Sequence, residues 1–504
     1  MRDQFTIAAI DLGSNSFHCQ IGRSVDNQFY PLDALREPVR LGAGLDADKV
    51  LSEESQERAL QCLARFSERL RGLERHQVRA IGTSTLRIAK NAPAFLRRAR
   101  SALGFPIEVV AGREEARLIY AGVAHSLPVT RERRLVIDIG GGSTECIIGT
   151  GYKPLQLESL FMGCVSYSLR FFPNGIVTKS NFKAAVLAAR AELQPMADQF
   201  SSDNWSHAVG ASGTVRVITD LLQLLDYSVG TITLPGLERL RALLIKSGDI
   251  NLLELPGLRA DRRPELPGGL AILYALFHEL AITSLRFAPG AMRQGILHDM
   301  LGRFHHQDMR DVTTAQFMQR YHVDERQVRR VSQAASALFA QLDHAEDNDA
   351  QQLLLWAVQL HEIGIPVSYS GYHRHSAYII TNADMPGFSK DEQARLATIV
   401  LSHRRSLRKT LPAVIDDCDH SIILVLRIAV LLQRARRNQR MPIPKIRSQS
   451  SAASLQFDPA WLNRNPLTAT ALRDEIKEWQ EVGFTLKIPA LEQVQFFDDD
   501  SGGE

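Results

Sequence analysis

The five cysteines of this 504-residue chain are odd in number, widely spread and never in a CxxC pair, which excludes a disulfide framework and a cysteine-based metal site. Cys19 and Cys146 are expected to pack. Long apolar runs are missing too: Ile422–Leu432 is the longest, is broken by Arg427 and is too short to cross a bilayer. The N-terminus Met-Arg-Asp-Gln has no signal-peptide pattern. A cytoplasmic protein is expected, at most peripheral on the inner face of the cell membrane. Two common nucleotide signatures are absent, since no GxxxxGK[ST] occurs and the glycine runs lack the third spaced glycine of a dinucleotide fingerprint. What remains is a chain with 45% hydrophobic residues, long enough for roughly three domains with sizeable cores.

What is present centres on Val136–Glu145. Arg134–Asp138 reads as a buried strand, ended by a carboxylate where Gly140, Gly141 and Gly142 begin. Three glycines leave no side chains in the way, so backbone N–H groups can close around a phosphate. Ser143 and Thr144 add hydroxyls, and Asp138 and Glu145 are hard oxygen donors suited to Mg2+, with Asp11 as a third candidate. A strand pattern resumes after the turn. The element recurs: Asp11–Arg23 aligns without gaps on Asp138–Thr150 with six identities in thirteen positions. Gly13, Ser14, Asn15 and Ser16 then form a first phosphate turn, equivalent to Gly140–Ser143. Ordinary hairpin turns would be shorter and need no carboxylate at the strand end.

Two related lobes, each offering a glycine hairpin and an acidic residue to a cleft, resemble the superfamily of actin, Hsp70 chaperones and sugar kinases. More narrowly, Ile10–His18 (IDLGSNSFH), Gly82–Arg87 (GTSTLR), Gly112–Val123 (GREEARLIYAGV), Val136–Glu145, Met162–Ser166 (MGCVS) and Val209–Val215 (VGASGTV) resemble the exopolyphosphatase and guanosine pentaphosphate phosphohydrolase family. Arg303–Arg310, Tyr321–Val331 and Gly371–Phe388 resemble its long, enterobacterial exopolyphosphatase type. The resemblance covers essentially the whole chain. It implies an α/β fold of two actin/Hsp70/sugar-kinase-like (ribonuclease H-like) lobes, residues 1–119 and 120–302, with a cleft between them. An α-helical HD-like domain (303–445) and a small strand-containing C-terminal domain (446–504) with a disordered acidic tail, Asp498–Glu504, would follow.

Along the chain, residues 52–72 read as an amphipathic helix with Leu60, Leu63, Phe66 and Leu70 on one face and Gly72 just past its end. Thr83–Arg87 follows a strand, and its guanidinium can meet two phosphate oxygens at once; the family match makes Arg87 a phosphate ligand. After the strand Ile107–Gly112 comes a helix with Glu114 and Glu115 in its first turn. Neighbouring helical residues point apart, so Glu115, sharing a face with Leu118 and Ile119, is expected to aim inward, while Glu114 pairs with Arg117 in solvent. The resemblance makes Glu115 the catalytic base. Gly210, Ser212, Gly213 and Thr214 form a third small-residue loop, placed against phosphates by the resemblance. Arg293, at the start of the closing helix, is either structural or reaches the cleft.

Further on, His361-Glu362, followed by His373, His375 and His403, resembles in spacing the HD phosphohydrolase domain, whose metal site needs an adjacent His-Asp pair, another His and a later Asp. Glu362 stands where the pair has Asp; the longer arm displaces the oxygen, so a degenerate site that binds polyanion or packs a dimer is expected over a metal site. Residues 401–450 carry eleven Lys and Arg against three Asp, while the net charge of the whole chain is +3. That concentration suggests a long polyanion bound by Arg434, Arg436 and Arg437, or else a solvated helical face or a non-specific nucleic-acid patch. The reading that follows is Mg2+-dependent processive removal of terminal phosphate from inorganic polyphosphate by a homodimer that does not work on nucleic acid. Guanosine pentaphosphate as substrate is the alternative. A non-enzymatic actin-like or Hsp70-like switch is a third reading, opposed by the paired glutamates and the basic helical region.

Overall fold

The computed structural model describes residues 4–25, 28–304, 308–343, 345–411, 417–437, 441–449 and 451–494; the acidic tail Asp498–Glu504 and Arg440 of the basic stretch lie outside them. The chain divides into two compact units. One comprises residues 1–309 with the short segment 386–389, the other residues 310–385 and 390–504.

Two sheets of the first unit follow one plan. β1 (Gln4–Leu12), β2 (Phe17–Val25) and β3 (Gln28–Glu37) form an antiparallel meander; α1 (Glu53–Arg69) follows, and β4 (Val78–Gly82) adds parallel to β1. After α2 (Ser84–Ile88) and α3 (Ala92–Leu103), β5 (Ile107–Val109) completes the order β3-β2-β1-β4-β5. α4 (Gly112–Ser126) leads into a second meander of β6 (Arg134–Ile139), β7 (Thr144–Thr150) and β8 (Lys153–Leu160). Then come α5 (Cys164–Phe171), α6 (Lys179–Leu193), β9 (His207–Ala211) parallel to β6, α7 (Ser212–Leu224), β10 (Ile232–Thr233), α8 (Leu234–Ser247), α9 (Leu266–Glu279), β11 (Ser284–Phe287) parallel to β9, and α10 (Met292–Phe304). The second order is β10-β11-β9-β6-β7-β8.

The sequence repeat is thus a structural one. Hairpin register sets Asp11 directly opposite His18 and Asp138 directly opposite Glu145. The glycine that closes each repeat, Gly22 or Gly149, lies where the register to the third strand shifts. Neither position has room for a side chain: a Cβ on Gly22 would stand 2.1 Å from the Phe29 ring, and one on Gly149 2.3 Å from that of Tyr120. A glycine bends the strand there without a side chain to place.

α1 starts where the sequence indicates, Ser52 accepting from Ser55 N–H, and Leu63, Phe66 and Leu70 are buried. The strand expected over Ile107–Gly112 is shorter, because Gly112 already opens α4. Each sheet packs a core against its own helices, and a third core lies between the sheets. There Ile7, Ala9 and Ile81 meet Val136 and Ile147 through α4 and α10.

Helices α11 (Met309–Arg320), α12 (Glu325–Phe339), α13 (Asn348–Leu360), α14 (Tyr372–Asn382), α15 (Lys390–Ser402) and α16 (Asp417–Gln433) precede β12 (Lys445–Gln449), β13 (Ala452–Gln456), α17 (Pro459–Arg464), α18 (Pro466–Gln480) and β14 (Thr485–Lys487). The last three strands form one sheet, in the order β12-β13-β14. Arg427, the charge inside the apolar run, is buried on Glu475: its Nη2 donates to Oε2 at 2.9 Å and its Nη1 to Ser402 O at 2.6 Å. Among the described residues no helix is long and apolar enough to cross a membrane.

Candidate active site

The two repeated turns meet. Thr85 Oγ1 donates to Ser14 Oγ at 2.8 Å, and a Cβ on Gly142 would lie 2.8 Å from Ser84 Oγ and 3.1 Å from Ser14 Oγ. A Cβ on Gly141 would stand 3.1 Å from that of Ser14, so only glycine lets the turns approach this closely. Their carbonyls are held from behind. Arg40 N donates to Asn15 O and Gly42 N to Ser14 O at 2.7 Å, while Cys164 N and Val165 N, at the start of α5, donate to Gly140 O and Gly141 O at 2.9 and 3.0 Å. This explains the Met162–Ser166 motif: Gly163 would drive a Cβ to 2.3 Å from Gly141 C.

Around the turns, buried polar atoms lack protein partners: Asp11 Oδ1, Asn15 Oδ1, Ser16 Oγ, His18 Nδ1 and Ser84 Oγ. Orphaned polar atoms are rare in protein interiors, and a cluster of them at one cleft points to a ligand. The carboxylates are the other feature. Burial, reinforced by Glu115 and Asp11, pushes Asp138 up to about 7; burial also raises Asp11 to about 7, although Arg293 opposes the shift and Glu115 adds to it. Glu145 is raised by burial and by Glu115 and Asp138, with its Oε1 accepting from Ser159 Oγ at 2.8 Å. Mutually repelling buried carboxylates suit a hard dication, which would offset the charge. Among the described residues no group of three or more His, Cys, Asp or Glu is arranged to hold a metal. One or two of these carboxylates, with water and substrate oxygens, would supply the donors of such an ion, the arrangement Mg2+ usually takes.

Glu114 and Glu115 are both buried, which corrects the solvent pairing expected for Glu114. It does pair with Arg117, at 2.8 Å through both oxygens, but inside the protein. Glu115 faces elsewhere, accepting at 2.5 Å from Arg87 Nη1, which also donates to Val110 O at 3.1 Å. The guanidinium expected on phosphate is therefore in contact with the glutamate.

In the third loop, Gly210 is a packing position: a Cβ there would strike Val215 at 2.6 Å and Leu285 at 2.8 Å. Thr214 packs against Gly269, whose Cβ would lie 2.4 Å from its methyl group. Ser212 opens α7 at φ 80, a left-handed conformation that is strained for a residue with a side chain, and such strain recurs at functional sites. Gly213 makes room for Arg262, whose Nη2 would lie 2.8 Å from its Cβ.

Arg262 belongs to a group that sequence reasoning missed. The Asp11 carboxylate feels Arg293; His18, held neutral by burial and pushed down to about 3, feels Arg293, Arg36 and Arg262; Arg36 in turn feels Arg262 and Arg259. Arg36, Arg259 and Arg262 fall outside the motifs. Arg293 reads from sequence as structural or reaching the cleft, and His18 leaves a signal by standing in the first repeat where the second has Glu145. Beside the group, a cavity of about 560 Å³ is lined by Arg40, Arg58, Ser52, Ser55 and Asp261 among others, none of them aromatic.

In the second unit, His361, Glu362, His373 and His403 are buried, with the His361 and His403 rings 5.2 Å apart and those of His373 and His403 6.2 Å apart. His361 and Glu362 lie past the end of α13 and not within it, His361 being its C-cap. Glu362 is ion-paired with Arg436, which also reaches Asp324 at 3.3 Å. A guanidinium thus pairs with the carboxylate that stands where the HD motif has its metal-binding Asp. Arg436, proposed from sequence for a polyanion surface, is exposed but ion-paired with the buried Glu362. Arg434 donates to Leu467 O at 3.2 Å, and Arg437 is exposed.

Two α/β sheets of one plan bring twin turns to a buried acidic cluster, an arrangement suited to phosphate. The chain belongs to the Ppx/GppA phosphatase family, which matches residues 20–304, with the family's domain III matching residues 309–476. A guanosine-5'-triphosphate,3'-diphosphate pyrophosphatase of Pseudoalteromonas translucida is 39% identical over 492 residues, covering 95% of this chain and 98% of its own. The crystal structure of an exopolyphosphatase from Cytophaga hutchinsonii superposes with a TM-score of 0.54 at 25% identity, covering 59% of this chain and 98% of that one. An exopolyphosphatase-like protein, 23% identical, covers 60% of this chain and all of its own with a TM-score of 0.52, a likeness of fold alone. These relatives include one named for each of the two substrates, so the narrower resemblance to the long exopolyphosphatase type does not follow from them.

Proposed function

We propose that the protein hydrolyses the terminal phosphoanhydride of inorganic polyphosphate, with water as acceptor. Glu115 takes the proton of the attacking water, and Arg87 holds that carboxylate in place. The turns Gly13–Ser16 and Gly140–Ser143 hold the terminal phosphoryl group, orienting it for in-line attack. Mg2+, held near Asp138 and Glu145 with Asp11 nearby, would supply charge neutralisation for the phosphoryl oxygens. Products are orthophosphate and a polymer one unit shorter.

The observation that supports the choice of substrate is the concentration of positive charge around the first turn. Arg293, Arg36 and Arg262 act electrostatically on His18 beside the first turn, and Arg262 and Arg259 act on Arg36, with Arg259 ion-paired to Asp261 at 2.9 Å and Arg262 to Glu265 at 3.0 Å. A run of guanidinium groups suits a chain of phosphates. The second reading, hydrolysis of the 5′ terminal phosphate of guanosine pentaphosphate, is favoured by the name of the full-length relative. It uses the same catalytic residues. The test is orthophosphate release from defined polyphosphate and from guanosine pentaphosphate, with Mg2+ and no acceptor. Turnover of the nucleotide alone would reject the first reading; release only when ATP and an acceptor are added would reject both.

A further inference from the structure

Glu114 begins a chain of alternating charges. Both its oxygens accept from Arg117, and Oε2 also takes Gly387 N–H at 2.9 Å. Arg117 Nη2 continues to Asp299 Oδ1 on α10 at 2.5 Å, and Asp299 Oδ2 takes Arg79 Nη1 from β4 at 2.5 Å. Arg79 ends on Glu108 of β5, at 3.2 Å through Nε and 3.1 Å through Nη2. Side chains of Arg79, Glu114, Arg117 and Asp299 are each less than a tenth exposed. Buried ion pairs add little net stability compared with apolar packing of the same volume, so stability alone is a weak reason for four charged residues here.

What the chain can fix is register. α4 and α10 cross backbone to backbone: a Cβ on Gly295 would stand 1.7 Å from Leu118 O, and one on Gly122 1.9 Å from Ala291 O. At the crossing itself the glycines leave no side chain between the helices, and apolar side chains of both, Leu118, Ile119, Ile296 and Leu297 among them, share one core around it. Asp299 is one turn beyond Gly295 on α10, and Arg117 adjoins Leu118 on α4, so the ionic chain ties the helices beside the smooth contact. We propose that Glu114, Arg117, Asp299 and Arg79 are positioning residues, which set the rotation of the first turn of α4 and thereby the aim of Glu115. This rests on the reading of Glu115 as the base.

The test is a double-mutant cycle on the full chain with inorganic polyphosphate, with rates normalised to folded protein. Asp299→Asn alone is expected to lower kcat about 10–100-fold, the scale of a misplaced reacting group, while KM changes less than about threefold. In a Glu115→Gln background the same change should lower the remaining kcat less than about twofold, because there is no base left to misplace. Asp299→Glu, which restores the charge, should recover part of the loss. If Asp299→Asn does not fold, Glu114→Gln replaces it in the same cycle. Equal losses in both backgrounds, or a loss that disappears on normalisation, would overturn the inference and leave the base assignment standing. Near-normal kcat in Glu115→Gln alone would overturn both.

Discussion

At the scale of single residues the site is a problem of charge. Glu115→Gln removes the proton acceptor and keeps the shape, so kcat should fall about 10²–10⁴-fold with substrate binding retained; steady-state kinetics beside a binding assay checks this. Asp11 and Asp138 carry a second consequence. Their folded values, each about 7, stand above the ordinary carboxylate value, so between about pH 4 and pH 7 the native state holds protons that the unfolded chain has lost. The contribution is thus present in acid and is lost as pH rises through about 7. Without divalent cations, Tm should fall by roughly 5 °C or more between pH 5 and pH 8 through these groups. Mg2+ binds the ionised form, so it should raise Tm at pH 8 and do little at pH 5. Asp138→Asn should flatten both dependences in a thermal melt series; a Mg2+ effect of equal size at the two pH values would contradict the donor assignment.

At the scale of elements, the repeated hairpin rests on its closing glycines. Gly149→Ala forces a methyl group into the ring of Tyr120 at a bent strand and should cost about 1–3 kcal/mol, as overpacking generally does. Gly72→Ala, at φ 88 but with open space around it, should cost only the backbone strain of about 1 kcal/mol. Denaturant melts of the two variants separate the effects. The hairpins, their pairing as lobes and the helix carrying Glu115 were legible because each is local: period, glycine and carboxylate fall within thirteen residues. Legibility stopped where partners come from distant chain. Glu114 reads as a surface acid from its i+3 arginine, but Asp299 and Arg79 make the pair internal. Arg87 reads as a phosphate clamp, yet Glu115 occupies its guanidinium. Arg36, Arg259 and Arg262 carry no local pattern, and their grouping depends on how strands and loops are brought together. Arg436 looks like one of several free charges until Glu362 is seen beside it.

For the whole molecule, the open question is how far substrate extends. A long polyphosphate neutralises many cations and releases their counterions, so its KM should rise steeply with salt; guanosine pentaphosphate should respond less. Arg436 is unsuited to probing the basic stretch, because removing it leaves the buried Glu362 carboxylate without its partner, and any effect would mix binding with folding. Arg434 and Arg437 are exposed, and Arg434 donates to a backbone carbonyl, that of Leu467, so Gln at both positions removes two charges with little structural cost. If polymer lies along this surface, the double variant should raise KM for long polyphosphate and reduce the dependence of log KM on log salt by about one to two, following the rule of roughly 0.7–0.9 per contacted phosphate. Partially digested polymer should then show more intermediate lengths, because the shortened chain dissociates between cleavages. Guanosine pentaphosphate hydrolysis should change less than about twofold, since that ligand is small enough to be held by the arginines of the first unit. An unchanged polymer ladder and salt slope would confine recognition to Arg36, Arg259, Arg262 and Arg293, and the basic stretch would then be a solvated helical surface.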